Sequence, residues 1–351
     1  MLYSEQMHQI CEKLGVKREE CKDGLYSTLL QTISDACDGG GGGSGGGDEW
    51  IGDGNTHIWI TLHEGRTSPM LGVGVNGTVT VDWGDGSAPD TLTGTSTSTV
   101  QWTPNHEYGK AGDYVITLTA DGELGFSGYS SLNEHSCILR HSSTTDVRNQ
   151  AYQNAVQKVE LGEGITSIGD YAFSSCRNLA GIAIPFGVTS IGKSAFVNCT
   201  GLTSIAIPDG VTSLGIYAFS RCYNLISATI PGSVSNLNSN AFDYCHRLTN
   251  VALSDGTLTL NDYAFSFCYG IINIAIPKSV KTIRNYTFQD CFGVACYDFT
   301  KHTFVPTLGA KSAFNNNASD CIFKIPAALY DEWIAATNWS AVAATYTFVG
   351  V

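Results

Sequence analysis

The sequence lacks a run of about 18 apolar residues, the length that a membrane-spanning helix needs, so no membrane insertion is expected. The first residues, Met1–His8, have neither a basic start nor an apolar stretch, so we expect no signal peptide. Basic residues are also scarce. Against 32 Asp and Glu there are 19 Lys and Arg, and the formal net charge of -13 argues against a nucleic-acid partner.

Residue patterns that carry catalysis are missing too. The His residues are scattered, and neither a nucleophile beside a base nor paired carboxylates can be recognised. His135, Cys137 and His141 lie near one another, but a metal site would want a fourth ligand and none is evident. The sequence therefore predicts a protein that is not an enzyme and holds no cofactor or metal.

What the sequence does contain is a repeat with a constant period of 23 residues. Each copy reads I-x-x-x-A-F-x-x-C-x-x-L-x-x-I-x-I-P-x-x-V, with few departures. The I-x-I spacing is typical of one face of a strand, and the threefold spacing of A-F-x-x-C-x-x-L favours a short helical or 3₁₀ turn. The predicted repeat core comprises Phe173, Phe196, Phe219, Phe242, Phe265, Phe288, Cys176, Cys199, Cys222, Cys245, Cys268 and Cys291.

A single copy of 23 residues cannot bury its own apolar face, so the copies must stack into a solenoid. One Cys at the same place in every coil predicts a buried column of thiols. Parallel Cβ vectors give poor disulfide geometry, so we expect free thiols, as in a reducing cytoplasm, and neither disulfides nor metal.

These repeats resemble the BspA-like class of leucine-rich repeats over roughly residues 156–326. The resemblance implies a right-handed solenoid used for attachment or display, without catalysis. After Phe288 the next Ala-Phe pair comes 26 residues later, at Phe314, and the Cys is lost. Residues 327–340 predict a helix with Leu329, Trp333 and Ile334 on one side, so residues 327–351 are interpreted as the C-terminal cap.

Residues 1–38 predict two short amphipathic helices, and residues 39–48 predict a flexible Gly-rich linker. No Lys-Ser/Thr follows the Gly run and no strand precedes it, which excludes a phosphate loop. Such small helices are not stable alone, so we expect them to anchor the chain to a partner or to join copies of it. The alternative is a hairpin folded back on the next domain. The predicted anchor residues are Met7, Ile10, Leu14, Tyr26, Leu29, Leu30 and Ile33.

Residues 49–122 alternate as strands do, and residues 123–155 are predicted to be a polar connector. The segments 81–87 (VDWGDGS) and 106–118 (HEYGKAGDYVITL) resemble the two signatures of a PKD domain, an immunoglobulin-like β-sandwich. The resemblance implies that Trp83 fills the core of the sandwich. Asp82 and Asp85 are interpreted as carboxylates that cap turns, with a calcium pair as the alternative.

Surface positions of the repeat carry aromatic residues that the core does not need. They stand two residues before the Phe or one after the Cys, and could stack on sugar rings or on partner side chains. The alternative is that these rings only pack between coils. The candidate ligand-binding residues are Tyr171, Tyr217, Tyr263, Tyr286, Tyr223 and Tyr269.

The predicted fold is therefore multidomain: a helical anchor, a β-sandwich and a leucine-rich-repeat solenoid with a helical cap. Because no export signal is expected, the leading hypothesis is a phage virion surface protein, made in the host cytoplasm. In that hypothesis residues 1–38 bind other virion proteins, the chain forms a homo-oligomer, and the repeats contact a host glycan or protein. The order of modules also resembles proteins of phages and prophages of gut Firmicutes. The alternatives are a bacterial surface adhesin and, third, a cytoplasmic scaffold.

Overall fold

The computed structural model describes residues 53–126, 129–131, 134–136, 138–140 and 149–351. Residues Asn55–Val351 form one compact unit. The predicted anchor helices and the Gly-rich linker lie outside the described residues, as do Cys137 and His141. In the described part of the chain, no helix is both long and apolar enough to span a membrane.

The N-terminal part of this unit is an antiparallel sheet. Strand β2 pairs with β3 and β4, and β4 also pairs with β1. Trp83 follows β2 and is fully buried, with its Nε1 donating to Asp90. The alternating pattern predicts three strands, over residues 57–62, 79–83 and 113–119, and these correspond to β1, β2 and β4, whereas the pattern does not predict β3. The bounds are Thr56–Leu62 (β1), Met70–Asp82 (β2), Asp90–Trp102 (β3) and Gly112–Phe126 (β4).

The segment predicted to be a connector contains short elements of its own. Strand β4 crosses the predicted boundary at residue 122, because its last residues still pair with β2. Strands β5 and β6 form a hairpin, and β7 pairs with β2. The bounds are Tyr129–Ser131 (β5), Glu134–Ser136 (β6), Leu139–Arg140 (β7) and, for helix α1, Asn149–Ala155.

The N-terminal sheet continues into the first coil of the solenoid. Strand β8 (Val156–Glu160) pairs antiparallel with β1, and β9 (Ile165–Ile168) pairs parallel with the end of β4. Phe126 of β4 lies 5.8 Å from Phe173, the first ring of the repeat core. We call the N-terminal sheet of β1 to β4 the β unit. It covers the open end of the solenoid, and both share one hydrophobic core.

Each later coil adds two short strands, and each of these pairs in parallel with a strand of at least one neighbouring coil. In the regular coils paired residues are 23 apart, as in Ser227 and Asn250. One set of strands comprises Gly181–Ala183 (β10), Ser204–Ala206 (β12), Ser227–Ile230 (β14), Asn250–Leu253 (β16), Asn273–Ala275 (β18) and Cys296–Asp298 (β20). The other set comprises Ser190–Ile191 (β11), Ser213–Leu214 (β13), Asn236–Leu237 (β15), Thr259–Leu260 (β17), Thr282–Ile283 (β19) and Thr307–Leu308 (β21).

The segment around each repeat Phe is not the continuous helical turn that the threefold spacing predicts. It consists of single turns, such as Cys199 N–H to Phe196 O, separated by residues in the left-handed region two positions before and two after the Phe. Because of the left-handed residues, alternate N–H groups point towards the next coil and donate hydrogen bonds to its carbonyl oxygens. A 3₁₀ helix forms only at the last copy, Lys311–Phe314.

The C-terminal cap is built from short elements rather than the single helix predicted over residues 327–340. Ala336 is extended and Asn338 has a φ of 66°, so the helix is interrupted there. Trp333 and Trp339 are fully buried and pack edge-on against Phe299. The elements are Ile322–Ile325 (β22), the 3₁₀ turn Ala327–Leu329, Tyr330–Ala335 (α2), Trp339–Ala343 (α3) and Thr347–Gly350 (β23).

Candidate binding surface

The interior of the solenoid holds the Phe and Cys columns and leaves no room for a ligand between them. Adjacent rings from Phe173 to Phe314 stack at centroid distances of 5.0 to 5.7 Å. Each Cys from Cys199 to Cys291 is free, fully buried and donates its S–H to the carbonyl of the Phe in the preceding coil. Burial raises the pKa of Cys222 to about 12, so these thiols are structural rather than reactive.

The four candidate tyrosines that precede the Phe residues do not form one surface. Tyr171 is 7% exposed, whereas Tyr217 is 40% exposed. Tyr263 and Tyr286 stack at 4.8 Å. Ser194 and Asn240 occupy the coils between, so the rings occur singly or as this one pair.

The position one residue after the Cys gives a continuous stack. The centroid distances are 4.9 Å from Tyr223 to His246, 4.6 Å from His246 to Tyr269, and 5.5 Å from Tyr269 to Phe292. Tyr269 is 37% exposed and Phe292 is 54% exposed. Of the two columns that the sequence singled out, this one brings its members together at the surface.

A neighbouring column was missed by the sequence reasoning. Two residues after each Phe, Tyr244 and Phe267 stack at 4.4 Å, and the guanidinium carbon of Arg221 lies 5.7 Å from the ring of Tyr244. The signal was available, because this position recurs with the same period of 23. We call Tyr223, Tyr244, His246, Phe267, Tyr269 and Phe292 the aromatic strip.

The backbone under the missed column is strained and rigid. Arg221, Tyr244 and Phe267 have φ values of 61°, 59° and 58°. Non-glycine residues in this region cost about 1–2 kcal/mol each. The conformation persists because each N–H bonds to the next coil, at 2.7 Å for Arg221, 2.9 Å for Tyr244 and 2.8 Å for Phe267. The side chains are therefore held outward on a fixed frame.

The charge beside the aromatic strip is positive, although the chain as a whole is acidic. Arg221 and Arg247 are exposed in coils of the aromatic strip, and Arg177 is exposed two coils before Tyr223. None of the three forms a salt bridge with a residue that the structure describes, although the charge of Arg221 acts on the carboxylate of Asp243. The nearby Asp243 and Asp290 are each 7% exposed, and their carboxylates accept hydrogen bonds from neighbouring side chains.

The sheet face formed by β14, β16 and β18 is a second surface, and it is shallow. Small and polar side chains line it, so it has few groups that could hold a ligand by burial. The lining residues are Ser227, Ala228, Thr229, Thr249, Asn250, Val251, Ala252 and Asn273.

In the N-terminal sheet, Asp82 and Asp85 cap turns. Asp82 accepts from the N–H of Gly84 at 2.9 Å, and Asp85 accepts from the N–H of Ser87 at 3.0 Å. Although burial raises the pKa of Asp85, hydrogen bonds from Ser87 and His106 lower it to about 2. Both carboxylates thus have turn partners, and no metal-binding group of three or more His, Cys, Asp or Glu occurs in the described residues.

Comparison with known proteins bears on the repeats. The stacked coils, each with two short strands, form a solenoid that is consistent with leucine-rich repeats. Residues 123–248 and 166–295 match the family described as BspA type Leucine rich repeat region, in 6 copies. These residues make up just under half of the chain, and the repeats are therefore similar to BspA-type leucine-rich repeats. The search of curated proteins finds no match.

Solved structures similar to this chain are also leucine-rich-repeat proteins. One from Bacteroides ovatus ATCC 8483 is 19% identical with a TM-score of 0.31, over 59% of this chain and 68% of that one. The T. pallidum protein TpLRR is 30% identical with a TM-score of 0.31, over 34% of this chain and 55% of that one. A leucine-rich cell surface protein from Faecalibacterium prausnitzii A2-165 is 21% identical with a TM-score of 0.28, over 58% and 66%. These TM-scores lie below 0.5, so the similarity to BspA-type repeats rests on the family match.

The comparisons do not support two of the expectations drawn from sequence. The family match covers the repeats, and no comparison matches residues 49–122 to a PKD domain or the chain to a phage protein. The antiparallel pairing of β1 to β4 is present, but a separate PKD sandwich is not shown, because the same sheet runs on into the solenoid.

Proposed function

We propose that this chain is an adhesin-type binding protein of a bacterial surface, which contacts its target through the aromatic strip. The observation that supports this function is the rigid stack from Tyr223 to Phe292, exposed beside Arg221 and Arg247 on repeats similar to the BspA type. Tyrosine, phenylalanine and arginine are enriched at the centres of protein interfaces, and a surface fixed before binding loses little entropy when it binds.

Display on a phage virion was the leading hypothesis from the sequence, and no observation in the structure favours it over the adhesin. We therefore propose a cell-surface location, with residues 1–38 and the Gly-rich linker attaching the repeats to their support and joining copies of the chain. The partner in this proposal is a protein or glycan of a target surface.

The test of the proposed function is binding of fluorescent residues 53–351 to immobilised extracellular-matrix proteins and to a glycan array. We expect binding to at least one probe and a loss of at least tenfold in affinity when Tyr223, Tyr269 and Phe292 are replaced by alanine. The matched control is Phe186→Ala, because Phe186 is 40% exposed and lies outside the aromatic strip. Equal binding by the triple variant and the control would show that the aromatic strip is not the contact surface.

A further inference from the structure

The orientation of the rings in the aromatic strip restricts what can bind there. Neighbouring rings face one another, with interplanar angles of 26° between Tyr223 and His246 and 17° between His246 and Tyr269. Both faces of His246 and one face of each neighbour are therefore already covered. A sugar ring stacks on an aromatic face, so the inner rings offer no platform for a glycan.

Only the edges of the inner rings can face solvent, and the Nε2 atom of His246 is itself buried. The edge of an aromatic ring carries positive electrostatic potential, whereas its face carries negative potential. Arg221 and Arg247 add full positive charges beside the edges. Burial lowers the pKa of His246, so this ring is neutral at pH 7 and the arginines carry the charge. The surface therefore attracts acceptor-rich, negatively charged groups.

The aromatic strip also has a direction along the solenoid. Its cationic end lies at the coils of Arg221 and Arg247, and its apolar end lies at Phe267 and Phe292. Gly270 and Gly293 stand beside the apolar end, where the preceding coil has Arg247. Adjacent coils are separated by about 4.8 Å, so the four coils of the aromatic strip suit roughly five residues of extended chain.

We propose that the aromatic strip binds a short extended protein segment, acidic at one end and apolar at the other. The carboxylates pair with Arg221 and Arg247, and the apolar side chains contact Phe267 and the exposed face of Phe292. This inference rests on the proposed function and names the class of its partner.

The test uses residues 53–351 and fluorescence anisotropy at low and at physiological salt. The probe is a labelled copolymer of glutamate and tyrosine, and polyglutamate, heparin and polysialic acid serve for comparison. We expect the copolymer to bind more tightly than polyglutamate, because only the copolymer supplies apolar side chains for Phe292. We also expect Arg221→Gln with Arg247→Gln to weaken copolymer binding at least tenfold, and Phe292→Ala to abolish the preference over polyglutamate.

The matched control for charge is Arg284→Gln with Lys281→Gln, because both residues are exposed and lie outside the aromatic strip. An equal loss of binding in this control would overturn the proposal in favour of non-specific attraction. Tighter binding of heparin or polysialic acid, with the same dependence on Arg221, would overturn it in favour of an acidic glycan. Suppose that the triple alanine variant loses binding to the matrix proteins or the glycan array, but that the copolymer binds neither the wild-type protein nor any variant. The proposed function then stands, and the protein-segment inference fails.

Discussion

At the residue scale, burial raises the pKa of the repeat cysteines from Cys222 to Cys291. Cys222 and Cys291 are fully buried, and desolvation raises the pKa of each to about 12. In the unfolded chain a thiol ionises near pH 8.5. Since the folded state holds its protons to higher pH, the unfolded state binds fewer protons above pH 9, and the free energy of unfolding must fall as pH rises.

We therefore predict that residues 53–351 lose stability between about pH 9 and pH 12. Replacing Cys222 by alanine removes one such group, so the slope of unfolding free energy against pH should become shallower by up to about 1.4 kcal/mol per pH unit. Urea unfolding at a series of pH values measures this slope. Val234→Ala is the control, because it removes buried apolar atoms without a titrating group. A slope in Cys222→Ala equal to that of wild type would contradict the prediction.

At the element scale, the C-terminal cap ends the solenoid by covering the last coil with two short helices. Trp339 is fully buried, and its Nε1 donates to Pro306 O at 2.7 Å. Its ring also contacts Phe314, the last member of the Phe column. Without that cover, the final apolar layer would meet water, which is why terminal repeats differ from internal ones.

We predict that Trp339→Ala costs about 3–5 kcal/mol of unfolding free energy, since it leaves a large cavity and an unpaired carbonyl. Hydrogen exchange should rise first in β20 to β23, next to the cap, and not in β8 to β11 at the other end. Ile334→Ala in the same cap is the control, because Ile334 is only partly buried and a smaller loss is expected. Uniform exchange along the chain would mean that the cap does not protect its neighbouring coils locally.

At the scale of the whole molecule, the β unit and the solenoid are one structure. Pairing of β1 with β8 and of β4 with β9 carries the sheet across the junction. Phe126 continues the aromatic core beyond Phe173. The β unit thus acts as the N-terminal cap, and it satisfies strand edges that would otherwise invite pairing with another chain.

We predict that residues 53–351 form a folded, soluble protein, whereas residues 149–351 self-associate. The shorter protein exposes the edge of β8 and the ring of Phe173, both of which the β unit covers. Light scattering after size-exclusion chromatography measures the mass, and binding of an apolar dye measures the exposed surface. If residues 149–351 are monomeric and melt at the same temperature as residues 53–351, the solenoid does not need the β unit as a cap, and the β unit is an independent domain.

Much of the solenoid could be predicted because its signal repeats. The period of 23 places Phe196 over Phe173 and Ile191 over Ile168 with no further information, since residues at equal positions must stack. The aromatic strip could be predicted only in part. Tyr223 and Tyr269 were identified by their recurrence, but Tyr244 and Phe267 were not, because their position recurs with the same period yet is aromatic in only two coils.

The sequence alone determined the repeat and its buried columns, because a short motif copied without insertions admits only stacked coils. It did not determine which surface rings meet, since that depends on the course of the backbone between buried residues. Nor did it reveal that β4 passes from the N-terminal sheet into the solenoid, because strand pairing between distant segments leaves no periodic trace. Tertiary structure decided both: hydrogen bonds between coils fix the left-handed residues, and the open edges of the first coil take β1 and β4 as partners.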